Sequence, residues 1–213
     1  MNKYKIVCIV LAASLFGALA RLVFISNNQQ VVEDTPEQTK VEVILENIHS
    51  RKSTRSFTDQ QVSREQIDTL VRAAMAAPTG WNLRPWRFIV LDDREVLNKL
   101  ASKLSHSDLL KKAPAAIIVC GDTSIKDPQG NADLWTYDCS AASENLLLAA
   151  EAIGLGAVWT KVSPDATRIS TIQEELNMPE HIIPLNIIPV GYPKEIPAAK
   201  DKYNADNIHF NKW

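Results

Sequence analysis

A cluster of basic and hydroxyl side chains lies between residues 51 and 57 of the chain. Arg51, Lys52 and Arg55 supply three positive charges there, and Ser53 stands among them. A phosphate group binds well where several charged donors meet, because charge-assisted hydrogen bonds are stronger than neutral ones. The cluster therefore indicates a site for an anionic ligand such as a phosphate. The alternative is a solvated run of charge at the end of a helix.

A second polar stretch lies between Pro78 and Pro85, just before a predicted strand. It contains Thr79 and Asn82, and the amide of Asn82 can both donate and accept hydrogen bonds. Asparagine is also a common turn residue, so a purely local role for Asn82 is an equal alternative. In either case this stretch is a loop that could present an amide to a ligand.

One amphipathic helix must separate these two stretches. Ser63 and Gln66 have the spacing of a capping box, and apolar residues follow at helical spacing up to Ala74. The other predicted elements are a helix from Thr35 to Ile48, strands over 86–91, 113–120 and 185–190, and helices capped by Asp92, over 135–153, and from Ser163 to Leu176. Helices that alternate with short strands indicate an α+β or α/β domain.

Composition limits the class of protein. The chain has 213 residues, is 46% hydrophobic, and carries a net charge of -2 with a pI near 6.1. This length and composition predict one globular domain with a full core. Nucleic-acid binding is excluded as the main function, because it would need a basic surface.

The N-terminus differs from the rest of the chain. A basic start, an apolar run from Ile6 to Ala20 and a final Ala-x-Ala are the parts of a secretory signal. An uncleaved membrane anchor is the alternative, because apolar residues continue past Arg21; a leader without a role is the third possibility. We predict a leader over 1–20, a polar linker over 21–35 and a folded domain over 36–213.

Several familiar catalytic motifs are missing from the sequence. It has no His-Glu-x-x-His, no Cys-x-x-Cys, no Gly-x-Ser-x-Gly and no P-loop. Gly154 and Gly156 do not form a dinucleotide fingerprint, since Trp159 occupies the third glycine position. A chain without a nucleophile or a metal site can still carry out redox chemistry if a cofactor supplies it.

A set of motifs in a fixed order resembles a known family. They are Arg-x-Ser-x-Arg at 51–55, an alanine-rich helix, Ala-Pro-Thr-Gly-x-Asn-x-x-Pro-Trp at 77–86, Asp138 to Ala142 with Glu144 to Ala150, Gly154 to Thr160, Pro189 to Pro193, and the tail from Lys200 to Trp213. Over residues 40 to 213 the chain resembles the FMN-dependent nitroreductase-like proteins. The resemblance implies a three-layer α/β/α sandwich of the α+β class, with a central, mostly antiparallel sheet, assembled as a homodimer with flavin at the interface.

The resemblance also assigns cofactor contacts. Arg51, Lys52 and Ser53 would hold the phosphate or ribityl chain of FMN, and Arg55 would lie near the N1/O2 edge of the ring. Lys200 and Lys202 match two late basic residues of the family that complete the phosphate site; many members have arginine where this chain has Lys202. The remaining implied contacts are Pro78, Thr79, Asn82, Val158, Trp159 and Thr160.

The implied activity is a ping-pong electron transfer. A reduced nicotinamide, NADH or NADPH, would give hydride to flavin N5, and a nitroaromatic, quinone or similar small-molecule acceptor would then take the electrons. A flavin-binding carrier or sensor of the cell envelope without turnover is the alternative. A third hypothesis is a tethered interaction domain that has lost flavin.

The leader bears on this activity. It predicts an exported or membrane-anchored protein of the cell envelope, in the periplasm, or a cytoplasmic one if the leader has no role. Because reduced nicotinamides are cytosolic, an exported enzyme would need another electron donor.

Two cysteines and two aromatic residues complete the candidates. Cys120 ends an apolar strand and Cys139 lies in an apolar helix, so we expect buried thiols rather than a disulfide. Trp135 and Tyr137 could line a substrate pocket, or they could belong to the core.

Overall fold

The computed structural model describes residues 38–131 and 134–213. The predicted leader, the linker and the predicted first residues of the domain lie outside the described residues. Within them, no helix combines the length and the apolar character that a membrane span requires. The compact unit described below runs from Lys40 to Trp213.

An antiparallel sheet forms the middle of this unit. Its strands are β1 (Trp86–Leu91), β2 (Ala115–Asp122), β3 (Gly156–Ala157), β4 (Thr160–Lys161) and β5 (Ile182–Gly191). The order is β1-β2-β5-β3, and β4 also pairs with β5. Every residue of β2 is buried, as its continuous apolar sequence predicts for a central strand. The three predicted strands are confirmed, with β2 displaced by two residues along the chain.

Helices cover both faces of the sheet. They are α1 (Lys40–Ser50), α2 (Arg64–Met75), α3 (Arg94–Lys103), α4 (Leu109–Lys112), α5 (Trp135–Ala152) and α6 (Ala166–Glu175). Alternate residues of β2 point to opposite faces: Ile117 packs in one core with α2 and α5, and Ile118 packs in another with α3, α4 and α6. Two cores on one sheet make three layers, which confirms the predicted sandwich.

The local signals that start the helices are explicit. The predicted capping box of α2 is present: Ser63 Oγ accepts from the Gln66 amide at 3.2 Å, and the Ser63 amide donates to Gln66 Oε1 at 3.0 Å. The cap of α3 is Asp93 rather than the predicted Asp92, because it is the Asp93 carboxylate that accepts from the Glu95 amide at 2.7 Å. The starts of α2 and α3 therefore coincide with side-chain hydrogen-bond acceptors.

The central helix α5 is apolar on most of its surface. Cys139 and Cys120 are both buried and free, as predicted. Trp135 is core rather than pocket wall; a Cβ on Gly121 would lie only 2.2 Å from its ring, so a glycine is required there. Tyr137, by contrast, is 73% exposed.

Two segments carry apolar side chains that the single chain does not bury. Helix α1 contains no buried residue, although it has the predicted apolar stripe. Every residue from 194 to 213 is exposed as well. The large exposed apolar residues of these segments are Val41, Val43, Ile44, Leu45, Ile48, Ile196, Tyr203, Ile208, Phe210 and Trp213.

Candidate functional site

The basic cluster is held in an extended segment directly after α1. Ser53 forms a parallel bridge with Ala157, and the Thr54 amide donates to the Ala157 carbonyl at 3.0 Å. The buried Thr54 side chain packs on Gly156, where a Cβ would approach it to 2.5 Å. Gly156 is therefore required for the close approach of the two segments.

A cavity of about 330 Å³ lies between this segment and the C-terminal tail. Its lining is dominated by cations, and it also includes the aliphatic residues Pro197 and Ala198. The predicted site residues that line it are Arg51, Lys52, Ser53, Arg55, Lys200 and Lys202. The structure thus brings together six residues from the two ends of the domain, and we call this cavity the cationic pocket.

Carboxylates of α5 neutralise part of the pocket's charge. Arg51 Nε lies 3.2 Å from Glu144 Oε1, and Lys52 Nζ lies 2.6 Å from Glu151 Oε1. Glu144 and Glu151 are seven residues apart, two turns of the helix, so they lie on one face. Sequence reasoning did not assign this role to Glu144 or Glu151, and their seven-residue spacing on one helix was the signal that could have indicated it.

The other three cations of the pocket form no ion pair within the described part of the chain. Arg55 only donates, at 3.4 Å, to the carbonyl of Ser53, and both Lys200 and Lys202 are exposed. Three positive charges without carboxylate partners converge on one cavity. Such an arrangement favours a dianionic phosphate.

The predicted loop over residues 78–85 forms a separate group. Its centre is a 3-10 turn, Gly80–Asn82, and Asn82 lies in the left-handed region with φ of 57°. The Asn82 side-chain oxygen accepts from Arg84 Nε at 2.9 Å. The loop attaches to the start of α5, where the Gly80 amide donates to Asp138 Oδ1 at 2.9 Å. Asp138 begins one of the motifs quoted for the family resemblance, but sequence reasoning did not assign it a role in the site.

This loop and the cationic pocket contact different residues of α5. Asp138 contacts the loop, whereas Glu144 and Glu151, which follow it along the helix, pair with Arg51 and Lys52 of the pocket. Pro78, Thr79 and Asn82 do not line the pocket of their own chain. The predicted site is divided into two groups.

Val158, Trp159 and Thr160 occupy an intermediate position. They follow Ala157, the residue that bridges to Ser53, but they do not line the cationic pocket. Val158 is buried, and Trp159 is half-buried against the core formed with α2 and α5. Thr160 starts β4, where its hydroxyl donates to the Ile187 carbonyl. Sheet pairing fixes the backbone of this segment beside the basic cluster.

The described residues contain no group of three or more histidine, cysteine or acidic side chains that could hold a metal ion. The geometry instead combines a cationic pocket, a polar loop and a rigid strand segment.

Sequence comparison places the chain in a family. The model of the nitroreductase family matches residues 48–107 and 98–192. A protein of Methanothermobacter thermautotrophicus, described as a candidate NADH dehydrogenase/NAD(P)H nitroreductase, is 45% identical over 170 residues, which cover 80% of this chain and 87% of that one. The chain belongs to the nitroreductase family.

Solved structures agree with this assignment. A candidate NADH dehydrogenase/NAD(P)H nitroreductase from Parabacteroides distasonis has a TM-score of 0.75 and 50% identity, over 80% of this chain and 98% of that one. An FMN-dependent nitroreductase from Clostridium difficile has a TM-score of 0.72 and 31% identity, over 79% and 99% of the two chains. The fold class and the family predicted from the motifs are thereby confirmed.

Proposed function

We propose that this protein is an FMN-dependent oxidoreductase that oxidises NADH or NADPH and reduces a nitroaromatic, a quinone or a similar small acceptor. The observation that supports this most is the cationic pocket, which gathers six residues that the family resemblance assigns to FMN. The names of the relatives, an NAD(P)H nitroreductase and an FMN-dependent nitroreductase, agree with this activity.

The donor set of the pocket fits FMN. Arg55, Lys200 and Lys202 offer positive charge without carboxylate partners among the described residues, and Ser53 adds a hydroxyl. A phosphate dianion can accept hydrogen bonds from several of these groups at once. Lys202 contributes a point charge rather than the two-pronged contact of an arginine. The aliphatic residues in the wall suit the carbon chain next to the phosphate.

The protein's own contribution to catalysis is binding and electrostatics. Bound FMN would supply the redox chemistry, accepting a hydride and then passing the electrons on. The positive charge of Arg55 would favour the more negatively charged, reduced form of a cofactor bound beside it. Arg51 and Lys52, held by Glu144 and Glu151, would keep the phosphate end fixed.

A second copy of the chain would complete the site. The loop with Asn82 supplies no residue to the lining of the pocket in its own chain, although the family resemblance assigns both to one flavin site. Helix α1 and the tail leave large apolar side chains exposed, which suits an extensive contact between copies. We therefore propose a homodimer in which the loop of one copy meets the flavin held by the other.

Steady-state kinetics test the activity. NADH or NADPH oxidation is measured at several fixed concentrations of a quinone and of a nitroaromatic compound. The proposal predicts turnover with parallel double-reciprocal lines, the pattern of a ping-pong mechanism. A flavin-loaded protein that oxidises neither nicotinamide would instead support the carrier or sensor alternative.

Export remains a proposal based on the leader alone. The full chain is expressed with its first 20 residues intact, the cells are fractionated, and the mature N-terminus is sequenced. Cleavage after Ala20 with recovery from the cell envelope is expected. Full-length protein in the cytosol would contradict export and would remove the need for another electron donor.

A further inference from the structure

Asp138 is a buried acid that the proposed chemistry does not use. Its side chain is 5% exposed, at the start of α5. One oxygen, Oδ1, accepts from the Gly80 amide at 2.9 Å. The other, Oδ2, is buried and has no hydrogen-bond partner among the described residues. A buried acceptor without a donor is unfavourable for folding, and the bond that Oδ1 makes is the hydrogen bond of this side chain among the described residues.

The segment that Asp138 holds has a strained backbone. Trp81, Asn82 and Arg84 have φ angles of 53°, 57° and 52°, in the left-handed region that side chains other than glycine seldom adopt. Such conformations persist only where the surroundings impose them, and they concentrate at functional sites. Trp81 is 64% exposed, so burial of its side chain does not hold the loop in place.

Most of the hydrogen bonds of the loop are internal. The Asn82 amide donates to the Thr79 carbonyl at 3.1 Å, the Leu83 amide donates to the Gly80 carbonyl at 3.0 Å, and Arg84 Nε donates to Asn82 Oδ1 at 2.9 Å. These bonds shape the loop but do not fix it relative to α5. Among the described residues, the hydrogen bond from the Gly80 amide to Asp138 is the one that joins the loop to α5.

Gly80 itself is placed for this contact. A Cβ at position 80 would lie 3.1 Å from Leu134 Cδ1, tighter than an ordinary contact. The backbone of Gly80 therefore lies close to Leu134, next to the start of α5, where its amide reaches the Asp138 carboxylate.

We propose that Asp138 is a positioning residue of the flavin site. By accepting from the Gly80 amide, it fixes the strained loop so that Thr79 and Asn82 present their polar groups to FMN. This inference rests on the proposed function, since it gives the loop a cofactor to contact. If Asp138 served only the fold, its replacement would lower stability and leave FMN affinity unchanged.

The test compares Asp138→Asn with Asp138→Ala in the full dimeric protein. Asparagine keeps an oxygen acceptor for the Gly80 amide, whereas alanine removes it. Hydrogen exchange over residues 78–84 is measured without flavin, and the Kd for FMN is measured by fluorescence titration. In Asp138→Ala we expect faster exchange in this segment and a Kd raised about tenfold, the loss expected for one hydrogen bond to a charged group. In Asp138→Asn the exchange rate and the Kd for FMN stay near those of the wild-type protein.

The outcomes distinguish a failure of the positioning role of Asp138 from a failure of the proposed function. Unchanged exchange and affinity in Asp138→Ala would overturn the positioning role, and so would an Asp138→Asn variant as impaired as Asp138→Ala. If the unchanged protein binds no FMN, the proposed function fails, and the exchange data alone still decide whether Asp138 fixes the loop. If Asp138→Ala does not fold, Asp138→Ser replaces it in the comparison. The serine side chain is one bond shorter than that of aspartate, so its oxygen does not reach the Gly80 amide.

Discussion

The cations of the cationic pocket come from two sides, and we expect residues on both sides to control cofactor retention. Arg51 and Lys52 are oriented by Glu144 and Glu151 at the helix side of the pocket, while the tail contributes lysines from the other side. A phosphate would bridge these two sides. If the proposed phosphate site is correct, its binding depends on cations from both ends of the domain.

The double variant Arg51→Ala, Lys202→Ala tests this arrangement. Each lost charge-assisted contact weakens binding by about 1.5 to 3 kcal/mol, so the Kd for FMN should rise about 100-fold or more, as measured by quenching of flavin fluorescence. The matched control is Lys111→Ala, Lys112→Ala. It also removes two positive charges, but from a cavity that shares no lining residue with the cationic pocket. Unchanged flavin content in the first variant would contradict the phosphate site.

The two buried cysteines give a second prediction for individual residues. Burial raises the pKa of Cys120 to about 12 and that of Cys139 to about 12 as well. The thiolate is the reactive form, so both thiols should be inert at pH 8. A thiol-specific reagent should label neither cysteine in the native domain and both after denaturation. Rapid labelling of native protein would show that this part of the core opens.

The carboxylate of one residue in α6 forms ion pairs with two lysines of α3. Glu175 of α6 pairs with both Lys103 and Lys99 of α3. The hydrogen bonds from Lys103 and then Lys99 hold the pKa of Glu175 below its ordinary value. A lowered pKa in the folded state stabilises the fold at pH values above the unfolded pKa, and this contribution is lost as pH falls through the folded pKa.

Glu175→Gln should therefore lower Tm at neutral pH and have less effect in acid. Thermal unfolding of both proteins from pH 7 down to about pH 3 would show the difference in Tm shrinking as the carboxylate of the unchanged protein becomes protonated. A difference that stayed constant over this range would mean that the charge of Glu175 does not link the two helices.

Elements with strong local signals were predictable from sequence. The capping box of α2 and the apolar run of β2 were identified, because each depends on neighbours within a few residues. The ends of β2 and the cap of α3 were displaced by one or two residues, since adjacent apolar or acidic residues satisfy the same local rule. The left-handed backbone at Trp81 and Arg84 was not predictable, because side chains other than glycine seldom adopt that region and no local signal in the sequence marks it.

The grouping of the cationic-pocket residues in one cavity was predictable only through the family resemblance. Charge and spacing marked Arg51 to Arg55, but nothing local connects them with Lys200 and Lys202, which only the fold brings to the same cavity. The carboxylates that orient the cations, Glu144 and Glu151, were missed because a charge on a helix is usually solvated.

For the whole molecule, the exposed apolar segments predict self-association. Deleting residues 203–213 removes four large exposed apolar side chains and keeps Lys200 and Lys202. We expect the complete domain to sediment as a dimer and the shortened domain to shift towards monomer at micromolar concentrations. A complete domain that sediments as a monomer would contradict the proposed homodimer and leave the Asn82 loop without a flavin to contact.

The most direct test of the central claim is the visible absorbance spectrum of purified residues 36–213, recorded without oxygen before and after NADH or NADPH is added. The account predicts flavin bands that bleach on addition of a nicotinamide. Flavin bands that persist would contradict the proposed electron donor. A colourless protein that does not take up added FMN would contradict the cationic pocket as a cofactor site, while the fold and the family would remain.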